Sequence, residues 1–170
     1  MTHKLKFVNI DQPLDKFMFT YELMGNRLGP ILIQIASSFH FDKQVTEAFF
    51  AVLRKKYPTP IFALEARHKS WFVKETIELM QQYQISFVIS SAGKRFPGHE
   101  IATTETVYFR LHGEEKLYSS PYSDEKLEKY AFMIKDWLLD RKQIWVLFNN
   151  TILGHAITDS KKLYRLIQRL

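Results

Sequence analysis

Two short stretches concentrate the residues able to do chemistry. Ile61–Trp71 reads IFALEARHKSW: an apolar run that discharges Glu65, Arg67, His68 and Trp71 at its end. Val107–Gly113 reads VYFRLHG and delivers Arg110 and His112 in the same manner. Arg67 and Arg110 are forks suited to a carboxylate or phosphate. Glu65 can act as a general base or simply neutralise an arginine. His68 and His112 can shuttle a proton or ligate a metal through a ring nitrogen. Each has a structural counterpart: an Arg67–Glu65 ion pair, a histidine bonded to backbone, a Trp71 that is core.

Further polar groups stand at the ends of other apolar runs. Gln34 follows Ile31–Ile33, Ser90 and Ser91 follow SFVI, and Asn149 and Asn150 follow IWVLF. The asparagines suit sugar hydroxyls or an amide, and Tyr118 and Tyr122, after Gly113, suit an aromatic wall or packing. The residues expected to bear catalysis are Glu65, His68 and His112. Those expected to bind a ligand are Gln34, Arg67, Trp71, Arg110, Tyr118, Tyr122, Asn149 and Asn150. A metal site from Glu65, His68 and His112 has no recognised spacing, so no metal is assigned, and no cofactor is identified. Phosphate-loop, dinucleotide-turn, zinc-helix and nucleophile-elbow motifs are all missing.

The elements that must position these groups follow from periodicity. Asp11 and Pro13 open a helix with Leu14, Phe17, Met18, Tyr21 and Met24 inward and Gly25 at its end. Ile31–Ile35 is a strand. Asp42 caps a helix with Val45, Phe49, Val52 and Leu53 inward, stopped by Pro58 and Pro60. Ile61–Glu65 is the next strand, and Ser70 caps a third helix with Val73, Ile77 and Met80 inward. Ser86–Ser90 is a strand, residues 91–106 a long loop, and Val107–Leu111 a strand. Ser123 caps a helix carrying Leu127, Tyr130, Ala131, Ile134, Trp137 and Leu138. Ile144–Phe148 is the last strand, and Thr158 or Asp159 starts a final helix with Leu163, Ile167 and Leu170 inward.

Strands alternating with helices imply a parallel sheet with right-handed crossovers. Strands apolar on both faces must be covered by helices or by barrel closure. The fold class is therefore α/β, an incomplete TIM-barrel-like parallel β/α fold of about five strands. In such folds polar groups at the C-terminal strand ends share one rim, which is the expected site. Ile31–Ile35 is too apolar for a free sheet edge. Either Met1–Lys6 pairs with it, another chain does, or the chain is the later part of a larger fold.

Bulk properties narrow the rest. The 170 residues fit one domain spanning 1–170. Composition is 46% hydrophobic and 15% aromatic, with 14 Phe, as a packed globular chain requires. Lys plus Arg number 24 against 18 Asp plus Glu, a net +6. That surface can meet an anionic small molecule or, through Lys94, Arg95 and the run Lys161, Lys162, Arg165 and Arg169, a nucleic acid. The same run also suits the solvated end of a helix. There is no Cys, which removes disulfides, thiolate nucleophiles and Cys-bound zinc. No run is long enough to span a bilayer and the start lacks a signal-peptide core, so no membrane partner is expected and a cytoplasmic setting fits.

The chain resembles the YecE-like family, proteins of unknown function with a TIM-barrel-like fold. LGPILIQIASSF (28–39) is similar to the family's Leu-Gly-Pro-Ile-Leu-Phe-Gln-Leu-Pro-Pro-Ser-Phe. FALEARHKSWF (62–72) resembles Glu-x-Arg-His-x-Ser-Trp, VYFRLHG (107–113) its Tyr-x-Arg-Leu-His-Gly, and VLFNNTILGHA (146–156) its Phe-Asn-Asn-x-x-x-Gly-x-Ala. YSDEKL (122–127) is similar to the start of the following helix, and Thr2-His3 to a Thr-His pair after an early strand. The resemblance implies about three more strands before that pair, making this chain the C-terminal two-thirds of a barrel. It implies no reaction, substrate or cofactor. Ala36-Ser37 replace two prolines, and Ser90-Ser91 stand near where an aspartate is common, which points to an altered site. Two functions compete with a sugar or phosphate-ester site: phosphodiester or nucleic-acid binding, and a truncated, non-catalytic product that self-associates through its exposed strand edge.

Overall fold

The computed structural model describes residues 2–93 and 95–170, so Met1 and Lys94, the latter part of the expected basic surface, lie outside the described residues. The chain forms two compact units, Met1–Ser86 and Phe87–Leu170.

In the first unit, α1 (Asp11–Glu22) leads to β1 (Ile31–Gln34), α2 (Lys43–Lys56), β2 (Phe62–Glu65), α3 (Lys74–Gln82) and β3 (Ile85–Phe87), whose last residue belongs to the second unit. The strands form one sheet in the order β1-β2-β3. β1 and β2 are parallel, with Ile31 opposite Phe62 and Gln34 opposite Glu65. The α2 start is as the sequence requires: the Asp42 carboxylate accepts from the Val45 N–H at 3.0 Å. Its inward face is wider than the expected stripe, because Thr46 and Phe50 are also buried.

The α2 end is fixed by one side chain. The Arg54 guanidinium donates to the carbonyls of Tyr83 (2.7 Å), Pro60 (2.9 Å) and Pro58 (3.3 Å), and to that of Gln84. Its plane also lies over the Phe62 ring. These carbonyls end helices or lie in turns where no ladder satisfies them. Partial burial lowers the guanidinium's pKa from its ordinary value, yet arginine is basic enough to stay charged.

In the second unit, β4 (Ile89–Ser91), β5 (Thr106–Leu111) and β6 (Gln143–Phe148) form a parallel sheet in that order, with α4 (Asp124–Leu139) and α5 (His155–Arg169) packed on one face. Val107, Phe109 and Leu111 point to Leu127, Tyr130, Ile134 and Leu163 on that face. Strand alternation sends Tyr108 and Arg110 to the other. Ser123 caps α4 by accepting from the Lys126 N–H at 3.3 Å.

Several expectations are corrected. The strand Ser86–Ser90 is two strands, interrupted at Val88, so there are six among the described residues rather than five. Side-chain hydrophobicity does not reveal which backbone neighbour a residue bonds. Ser70 does not cap α3. Its hydroxyl is occupied by the Phe41 N–H, a 3-10 turn covers Lys69–Trp71, and α3 begins at Lys74. Val73 is consequently exposed and Thr76, Leu79 and Met80 point inward. The final helix begins at His155, before Thr158, and Asp159 lies buried within it. Gly154, in the left-handed region at φ +77°, makes that earlier start possible. Phe17, Met24, Leu138 and Leu170 are exposed instead of inward. Residues 2–7 form turns, so no described residue of the start adds a strand beside β1.

Candidate functional site

The first unit places Gln34, Glu65, Arg67 and His68 at the C-terminal ends of β1 and β2. Glu65 is fully buried. Its Oε2 accepts from Gln34 Nε2 at 2.6 Å and lies 3.8 Å from Arg67 Nη2. Cross-strand register creates the first contact, since Gln34 sits directly opposite Glu65. A buried carboxylate needs such partners, and the Gln34 amide and Arg67 guanidinium provide them.

His68 is organised by its own turn. Its Nδ1 accepts from the Ser70 N–H at 3.2 Å and faces the Ser70 hydroxyl at 2.9 Å. The neutral ring then carries its proton on Nε2. His40 stacks on it, with ring centroids 3.9 Å apart and planes 11° from parallel. Desolvation first, then the neighbouring His40 and Lys69, hold the His68 pKa below the usual histidine value. The group is a neutral imidazole near pH 7, able to donate from Nε2. His40 was missed in the sequence because it precedes α2 in a loop with no motif. Its role comes only from stacking.

Trp71 sits deeper. It is completely buried, its Nε1 donates to the Phe39 carbonyl at 2.8 Å, and Phe39, Phe41 and Phe7 pack edge-on around its ring. It positions the His68 turn.

In the second unit, Ser90 on β4, Arg110 on β5 and Leu147 on β6 occupy one register level. Just beyond, Asn149 Nδ2 lies 3.3 Å from Nδ1 of the buried His112, so the amide donates and the ring accepts. The Tyr118 ring packs edge-on to His112 with centroids 5.4 Å apart. Tyr122 faces inward: its hydroxyl donates to the Ser91 carbonyl at 3.1 Å and accepts from the Gly113 N–H at 3.0 Å. Burial pushes the phenol's pKa up, so it remains a neutral hydrogen-bonding group. Asn150 is also interior, with Nδ2 donating to Asp159 at 2.7 Å and to the Ser120 carbonyl at 3.0 Å. Asp159 further accepts from the Tyr122 N–H at 3.1 Å. Asn150, Asp159 and Tyr122 thus tie the loops after β5 and β6 to α5. The sequence offered Asp159 only as a helix start, since its partners are distant in the chain.

His99 is a second histidine with no sequence signal. Its ring stacks on Phe87, with centroids 3.9 Å apart, and Nδ1 accepts from the Ile101 N–H at 3.1 Å. Desolvation lowers its pKa from 6.5 to about 4, against a hydrogen bond to the Val88 backbone and the charge of Glu100. The folded ring therefore holds a proton less tightly than the unfolded one. Its contribution to stability is complete above pH 6.5 and is lost as pH falls from 6.5 toward 4. The expected size is about 3 kcal/mol. Urea unfolding across this range should show a flatter pH dependence for His99→Gln than for wild type; identical slopes would refute the assignment.

Among the described residues no cluster of three or more His, Asp or Glu side chains can hold a metal ion. Among the same residues no helix is long and apolar enough to cross a membrane. A family model described as "Protein of unknown function DUF72" matches residues 1–170. The chain belongs to the DUF72 family. This is the family to which the YecE-like sequence resemblance pointed. A DUF72 family protein from Thermotoga maritima is 29% identical, with a TM-score of 0.85, over 98% of this chain and 70% of that one. A DUF72 family protein from Enterococcus faecalis is 20% identical, with a TM-score of 0.83, over 95% of this chain and 67% of that one. No curated protein matches the chain. The DUF72 relationship agrees with the TIM-barrel-like α/β class, in which parallel strands alternate with helices.

Proposed function

We propose that this DUF72 protein binds a polar or anionic small molecule, a sugar or phosphate ester, at the C-terminal ends of its strands. The carrying observation is that Ser90 and Arg110 share one register level and that the His112 and Asn149 side chains meet just beyond it. Parallel α/β folds place ligands at this end of the sheet. Arg110 is the anion fork, Ser90 and Asn149 hydrogen-bond ligand oxygens, and His112 is the proton-transfer candidate. At the end of β2, Arg67 and neutral His68 are the corresponding pair, with Glu65 holding Arg67 in place.

The test is calorimetric titration with inorganic phosphate and glucose 6-phosphate at low ionic strength. Charge-assisted hydrogen bonds are worth about 1.5–3 kcal/mol, so Arg110→Ala in the second unit and Arg67→Ala in the first should each weaken binding at its own unit's strand ends by roughly 10- to 100-fold. Wild-type affinity in both variants would overturn the reading.

A further inference from the structure

The crossover from β4 to β5, residues 92–105, contains no helix among its described residues. Beside α4 it leaves a cleft of about 840 Å³, lined by residues of the second unit alone. That is the size of a small-molecule site. Two glycines allow the crossover to lie close. A Cβ on Gly98 would come within 2.6 Å of the Ser90 carbonyl, and one on Gly93, at φ +56°, within 2.9 Å of the Glu114 and Glu115 carbonyls. Against Gly93 lies a knitted turn, in which the Ser120 hydroxyl oxygen accepts from the Glu115 and Lys116 N–H groups at 2.9 and 3.0 Å.

Among the described residues, two of the four lining charges are committed. Glu100 pairs with Lys129 at 2.7 Å. Glu114 accepts from the Ser123 N–H at 2.6 Å and its hydroxyl at 3.1 Å. Glu115 and Lys126 have no ion pair among the described residues, although Lys126 lies over the Tyr130 ring at 5.1 Å. Among the described residues the cleft thus presents one available acceptor carboxylate, one available donor ammonium and the aromatic side chains of Phe96 and Tyr130. Opposed charges favour a ligand of no net charge. A donor and an acceptor together suit hydroxyls, which do both. Aromatic walls suit the C–H faces of a sugar ring. Three carboxylates on the lining oppose a phosphate.

We propose that this cleft is a binding site for an uncharged oligosaccharide, bordering the anion site through the shared Ser90. The proposal stands independently of the phosphate reading. Its test is saturation-transfer NMR and titration of the whole chain with the uncharged disaccharides maltose and cellobiose, with inorganic phosphate as the charged control. Transfer to at least one disaccharide is expected. Glu115→Ala and Lys126→Ala should each weaken it at least fivefold while circular dichroism and melting stay as in wild type. Glu115→Ala and Lys126→Ala should leave phosphate binding as in wild type. Absence of transfer to both disaccharides, or wild-type affinity in both cleft variants, would overturn the proposal.

Discussion

Trp71→Ala should lower the unfolding free energy by about 3–5 kcal/mol, the range for removing a large aromatic from a packed core. The ring is wholly buried among Phe7, Phe39 and Phe41. Deletion leaves a cavity among these rings, and it strands the Phe39 carbonyl that Nε1 satisfies at 2.8 Å. At this chain length each kcal/mol moves the melting temperature by about 2–4 °C, so thermal unfolding should show a fall of roughly 10 °C. Trp71→Phe separates the two contributions. It keeps most of the ring packing and loses the donor, for about 1–2 kcal/mol. The loss should also disturb the His68 turn, which Trp71 closes. A melting temperature unchanged by Trp71→Ala would show that the ring is not a packing element.

Arg54→Ala should be nearly as costly, about 3 kcal/mol or more. No single one of its bonds is decisive. The guanidinium simultaneously satisfies the carbonyls of Pro58, Pro60, Tyr83 and Gln84. Those lie on the two chain segments that follow α2 and α3. Alanine leaves all four without that donor, and at the half-buried Pro60 and Tyr83 water replaces it only partly. Arg54→Lys tests whether charge or shape matters. An ammonium retains the charge but cannot reproduce a planar fork with several donors, so lysine should recover only a small part of the loss. Denaturant unfolding of the three proteins measures this directly. Full recovery by lysine would mean that charge alone, rather than the fork, holds the segment.

These two residues also show where sequence reading reaches its limit. Trp71 was legible as a large aromatic after a strand, and both a ligand role and a core role fitted that position. The ring of phenylalanines decides its packing, and Phe7, Phe39 and Phe41 are far from it in the chain. In the sequence, Arg54 is one of three consecutive cations at a helix C-terminus, beside Lys55 and Lys56. Its importance arises from backbone carbonyls, which every sequence contains and none displays.

The sequence by itself determined the α/β class, the order of the main elements and the capping of α2 by Asp42 and of α4 by Ser123. These are local matters: hydrophobic period, cap chemistry and breakers act within a few residues. It also determined which side chains stand at strand ends, because a strand's end is marked by the residues that end it. Only tertiary structure decided that SFVIS serves two ladders, that Ser70 supports His68 and Phe41 instead of capping a helix, and that Asp159 is an interior acceptor for Asn150 and Tyr122. Each of those outcomes depends on a hydrogen-bond partner distant in sequence, and a donor or acceptor carries no mark in its own residue type of which partner folding will bring to it.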